Sequence, residues 1–98
     1  MARLSYSAKA LFDMERLVDF LAENDAGAAV ETIDLIGEAV SVLQRHPLIG
    51  RPVEADLREL VISRGAYGYV ALYSVEEGQD AVLILALRHQ RELGYGEG

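Results

Sequence analysis

The sequence predicts an α+β domain in the order β-α-α-β-β-β, with a helical hairpin packed on one face of a mostly antiparallel, twisted four-stranded sheet. Three observations lead there. Ala81 to Leu87 is an unbroken run of seven apolar residues that stops at Arg88, His89 and Arg91. It is too short to cross a membrane and has no helical period, so it reads as a central strand buried on both faces. Two earlier stretches repeat their apolar residues at spacings of three and four, and three strand-like runs follow Asp56 with only short links between them.

Taken in order, Arg3 to Ser7 alternates, with Leu4 and Tyr6 against Arg3, Ser5 and Ser7, and forms a first strand. Ser7 caps a helix to about Asn24 whose apolar stripe is Leu11, Met14, Val18 and Leu21. Asp13, Glu15, Asp19 and Glu23 fall off that stripe and read as a solvated face. Asp25 caps a second helix to about His46, carried by Val30, Ile33, Ile36, Val40 and Leu43. The link is short, so the helices are antiparallel neighbours. Pro47 ends the second helix, because the residue before a proline is pushed out of helical geometry. His46 to Asp56 is an irregular connection, pinned down by Leu48, Ile49 and Val53. Arg58–Ser63, Tyr67–Val75 and the Ala81 run then make a meander, with a glycine-bearing turn at Gly65 and a hairpin loop over Glu76–Asp80.

The 98 residues suffice for one domain with one core, its tail over 89–98 glycine-rich and partly flexible. Without cysteine, disulfides and thiolate metal sites are excluded, and no His/Asp/Glu grouping has ligand spacing, so neither metal nor cofactor is expected. No signal peptide or membrane span is visible, which points to a soluble cytoplasmic protein with no membrane partner. The net charge of −7 argues against general nucleic-acid binding. Its distribution is uneven: residues 1–44 hold eight acids and three bases, and residues 45–98 hold eight acids and six arginines. Any anion-facing surface therefore lies in the second half. The last strand is apolar on both faces, with Val82, Ile84 and Ala86 pointing one way and Leu83, Leu85 and Leu87 the other. Two helices cover one face only, so a partner chain or a second copy is expected on the remainder; a curled sheet that covers itself is the alternative.

The phrases HPLIGRPV, LRELVIS, YVALYSV and ILALRHQRELGY, in that order, resemble the RelE/ParE family of type II toxin–antitoxin toxins over essentially the whole chain. The ending RHQRE followed by Gly-Tyr is closest to the ParE-like, plasmid-stabilisation branch. The resemblance implies the α+β fold above, a cytoplasmic toxin, and neutralisation by a cognate antitoxin, as a hetero-oligomer or with a toxin homodimer. It also implies one of two actions: ParE-like members inhibit DNA gyrase, and RelE-like members cut messenger RNA on the ribosome. Cleavage needs a base for the 2′-hydroxyl, cations for the phosphorane and an acid for the leaving oxygen. Arg64, Arg88, His89 and Tyr95 are the candidate set for that chemistry. Arg58, Arg88, His89, Arg91 and Tyr95 are the candidate target-binding surface, and an inhibitory binding protein is favoured over an enzyme. A degenerate member that binds antitoxin without toxicity is a third reading.

Bland roles stand beside these. His89 can be a structural strand-end histidine, and His46 a cation at a helix C-terminus. Arg51 can tie the connection to nearby carbonyls, and Arg58 and Glu59 can be exposed strand charges. Tyr69 and Tyr73 share a strand face and suit core packing better than base stacking.

Overall fold

The computed structural model describes residues 1–64, 67–92 and 94–95, with the side chains of Arg64, Tyr67 and Glu77 outside that description. Strand β1 (Arg3–Tyr6) leads into helix α1 (Ala8–Ala22) and helix α2 (Ala26–Ser41), which ends in a 3-10 turn over Val42–Gln44. Strands β2 (Arg51–Pro52), β3 (Leu57–Arg64), β4 (Tyr67–Glu76) and β5 (Ala81–His89) follow. The sheet order is β1-β5-β4-β3-β2, with β1 parallel to β5 and the other pairs antiparallel. The class is as expected, but the described residues form five strands rather than four. The fifth is the two-residue β2, inside the stretch read as irregular connection and too short to leave a periodic signal.

Both helix starts are built as the sequence suggests. Ser7 accepts from the Ala10 amide, and Asp25 accepts from those of Gly27 and Ala28. The helix faces differ in part from expectation. In α1 the buried residues are Ala10, Asp13 and Leu17, while Leu11 is 57% exposed. In α2 they are Ala29, Thr32, Ile36 and Val40, while Val30 and Ile33 are exposed. The second half of the expected α2 stripe holds, since Ile36, Val40 and Leu43 are fully buried; its first half and Leu11 of α1 lie off the contact face, because each helix is also apolar along one open flank. Asp13, read as solvated, is 2% exposed.

Helices and sheet enclose one core, in which Leu17, Ile36, Val40 and Leu43 meet Ile62, Tyr69, Ala71, Tyr73, Val82, Ile84 and Leu87. Tyr69 and Tyr73 are thus core residues. The connection after α2 is pinned differently from expectation, since Leu48 and Ile49 are 55% and 58% exposed. The buried Tyr73 hydroxyl instead donates to the Pro47 carbonyl (2.8 Å) and accepts from the Gly50 amide (2.9 Å). Arg58 adds bonds to the carbonyls of Leu48 and Gly50.

The expected parity of β5 fails at its far end. Tyr73 pairs with Ile84 but Leu72 pairs with Ala86, so Leu85 is an extra residue, a β-bulge. Beyond it Leu87 and His89 share the helix-covered face with Ile84, and Ala86 and Arg88 share the helix-free face.

Candidate functional site at the end of the last strand

The cationic end of β5 is divided by the sheet. On the helix-free face, Arg88 stands beside Val70 in register, and its guanidinium lies 5.1 Å from the centre of the Tyr95 ring. One Arg88 nitrogen also donates to the carbonyls of His89, Gln90 and Glu92, which shapes the turn after the strand. The Tyr95 hydroxyl donates to Glu59, and Arg51 holds the same carboxylate from the other side at 2.8 Å. Glu59 is 8% exposed, so its expectation as an exposed strand charge is corrected. Val70 and Ala86, also on this face, are 3% and 2% exposed. The sheet face expected to await an outside partner is therefore partly covered by the chain's own tail.

On the helix side, His89 sits edge-on to Tyr69 at 5.4 Å, and its Nδ1 accepts from the Arg91 amide. Together with Arg16, Leu17, Phe20, Leu21, Arg91 and Glu92 they line an open groove of about 550 Å³. Glu92 accepts from the His89 amide (2.9 Å) and bridges to Arg16 (3.2 Å).

Arg88, His89, Arg91 and Tyr95 are thus gathered within one strand end, but Arg88 and Tyr95 do not share a face with His89. Arg58, from the same expected surface, is engaged with the connection after α2. Arg64 falls outside the described side chains. Sequence reasoning missed Glu59 and Asp13. The signal for Asp13 was its helical phase, shared with Ala10 and Leu17 rather than with Leu11. Glu59 left no comparable signal, because its partners, Arg51 on β2 and Tyr95 in the returning tail, stand at no regular spacing from it. Among the described residues, no group of three His, Asp or Glu side chains is placed to hold a metal ion, and no helix is long and apolar enough to cross a membrane.

The Tyr95 bond, helped by Arg51 and Arg88, holds the Glu59 carboxyl below the usual range against the opposing effect of its burial. Burial and the Glu59 carboxylate together push the Tyr95 hydroxyl up, far beyond neutral pH. Burial alone would raise Glu92, yet the bonds from His89 and Arg16 outweigh it and hold that carboxyl down.

A pH dependence follows from the depressed Glu59. A carboxyl held low in the folded state contributes stability that is present above its unfolded value and is lost as pH falls through the folded value. At neutral pH, Glu59→Gln is expected to lower stability by about 1.5–3 kcal/mol, the range for a hydrogen bond to a charged group. The gap to wild type begins to narrow as pH falls through the ordinary glutamate value of about 4.3, where the unfolded chain takes up the proton, and stops narrowing once the folded carboxyl has protonated at lower pH. Urea denaturation at neutral and acid pH measures it, and a gap that does not change with pH contradicts the assignment.

Two helices laid on one face of a mixed five-stranded sheet, with a cationic strand end, define the toxin fold of the RelE/ParE class. The family described as ParE toxin of type II toxin–antitoxin system, parDE, matches residues 4–94, and the chain belongs to it. A relative from Caulobacter vibrioides, Toxin RelE3, is 36% identical over 92 residues, covering 94% of this chain and 98% of its own. A solved chain of the chromosomal ParDE system from P. aeruginosa superposes with a TM-score of 0.74 at 25% identity, covering 91% of this chain and 96% of that one. The intact E. coli RelBE toxin–antitoxin complex contributes a chain with the same fold, at a TM-score of 0.62 and 13% identity over the full length of both.

Proposed function

We propose that this toxin acts by binding and inhibiting DNA gyrase in the cytoplasm, without cleaving RNA, and that a cognate antitoxin holds it inactive. The observation that carries the choice of target is the division of the cationic cluster. A phosphoryl-transfer site needs base, acid and cations converging on one phosphate. His89 faces the helix-side groove while Arg88 and Tyr95 lie across the sheet from it. A protein-binding surface has no such requirement, and a rigid strand end with Arg88, Arg91 and Tyr95 around it suits that role. The family match supports toxicity and an antitoxin partner, as does the likeness to the ParDE and RelBE systems. The groove beside Phe20, with Phe12 and Phe20 both more than 60% exposed on α1, offers that antitoxin apolar surface.

Purified protein is expected to block supercoiling by gyrase, and Arg88→Ala with Arg91→Ala is expected to weaken the block at least tenfold while the fold is kept. Cleavage of mRNA in a translating extract, with supercoiling unaffected, would reject the proposal in favour of a RelE-like ribonuclease. Absence of both activities alongside antitoxin binding would mark a non-toxic family member.

A further inference from the structure

Strand β5 has its irregularity where α1 reaches it. In a ladder without the extra Leu85, continuing the Tyr73–Ile84 register would set Leu72 opposite Leu85, Val70 opposite Leu87 and Tyr69 opposite Arg88. Arg88 would then project into the helix-covered face beside Tyr69, which is 2% exposed. His89 would be turned to the helix-free face. The bulge therefore decides which side of the sheet carries each member of the cluster.

A bulge leaves backbone groups that the ladder does not satisfy. Strand β1 ends at Tyr6, opposite Ile84, so among the described residues no strand pairs with this edge of β5 from Leu85 onward. The start of α1 supplies the partners. The Ser7 amide donates to the Ile84 carbonyl and the Ser7 hydroxyl to the Leu85 carbonyl, both near 2.9 Å. The Asp13 carboxylate accepts from the Leu87 amide at 3.0 Å. Lys9, one turn earlier, bonds both Asp13 oxygens and also the Tyr95 carbonyl. A buried carboxylate is costly unless its oxygens are bonded, and these are.

We propose that Asp13 is a positioning residue that fixes the phase of β5, sending Arg88 and Tyr95 to the helix-free face and His89 to the helix side. Hydrophobic phase alone, with Leu87 inward and Arg88 outward, is the competing account. The two differ in what happens when only the acceptor is removed.

Cross-strand NMR contacts between β4 and β5, measured on isotope-labelled wild type, Asp13→Asn and Asp13→Leu, separate them. Asparagine keeps an oxygen for the Leu87 amide, whereas leucine keeps the volume and removes the acceptor. The Asn variant is expected to retain the Ala71–Leu87 backbone contact, with the Leu87 amide proton moved upfield as the charged acceptor is lost. The Leu variant is expected to lose that contact. A Leu variant with the wild-type pairing overturns the proposal. If the Leu variant does not fold, the Asn variant decides: an unmoved Leu87 amide resonance overturns it and an upfield shift supports it. The functional consequence rests on the gyrase-binding surface proposed above, and growth arrest is expected to survive Asp13→Asn and to disappear with Asp13→Leu. Wild type that fails to arrest growth rejects that surface, while the NMR outcome still decides the role of Asp13.

Discussion

Replacing Gly50 with alanine is expected to lower stability by about 3 kcal/mol, the upper part of the range for overpacking a filled interior. Gly50 is buried at the end of the connection after α2. A Cβ placed there would lie 2.5 Å from the Tyr73 hydroxyl oxygen and 2.7 Å from the Glu59 carbonyl oxygen. The second contact is with backbone of a paired strand, which cannot swing aside. The first is with a tyrosine that is itself fully buried and bonded to Pro47 and Gly50. Relief therefore requires moving either β3 or the loop, and moving the loop also strips Arg58 from two carbonyls. Gly37→Ala is the control of opposite sign. It sits on the exposed side of α2 with nothing within 4 Å of a new Cβ, so it should stabilise by about 0.5–1 kcal/mol through helix propensity. Denaturant midpoints of the two variants test the pair. A Gly50→Ala protein within 0.5 kcal/mol of wild type (roughly the noise of neutral surface changes) would mean the loop is not held as described.

The parts of the fold legible in sequence were those whose signal is local. Ser7 and Asp25 are caps because a side-chain oxygen there meets free amides within three residues, and each stands just before an apolar period. The meander was legible in part because the Glu76–Asp80 loop punctuates it, while the turn expected at Gly65 lies outside the described residues. The phase of β5 was not, for a specific reason: in Ala81–Leu87 every residue is apolar, so alternation carries no information about which residue faces which side. The deciding contact comes from Asp13, 74 positions away. The candidate site was half legible for a related reason. A cluster of Arg88, His89 and Arg91 is visible along the chain, but its division between two faces depends on the bulge. Tyr95 is legible as a member of the cluster, yet its partner Glu59 has the sequence signature of any strand carboxylate. The anchoring of the connection from His46 to Asp56 is not legible in its own residues, because the buried Tyr73 hydroxyl, far along the chain, performs that task and leaves Leu48 and Ile49 outside.

The two isoleucines of α2 that one apolar stripe joins should respond very differently to truncation. Ile36 is fully buried, in contact with the core that α1, β3, β4 and β5 share. Ile36→Ala removes three carbons from a site ringed by other buried side chains. The expected loss is about 2–5 kcal/mol, combining lost transfer energy with the cavity left behind. Ile33 is 43% exposed on the open flank of the same helix. There the lost burial is smaller, no closed cavity forms, and alanine's higher helix propensity offsets part of what remains, so Ile33→Ala should cost under about 1 kcal/mol. Equal losses at the two positions would mean that the helix is rotated relative to its observed contact face. The comparison also separates stability from partner binding. If the antitoxin occupies the apolar flanks of the hairpin, Ile33→Ala should weaken that complex while leaving the free toxin's unfolding midpoint nearly unchanged. Ile36→Ala should do the reverse, lowering the midpoint sharply and affecting the complex only through the population that remains folded.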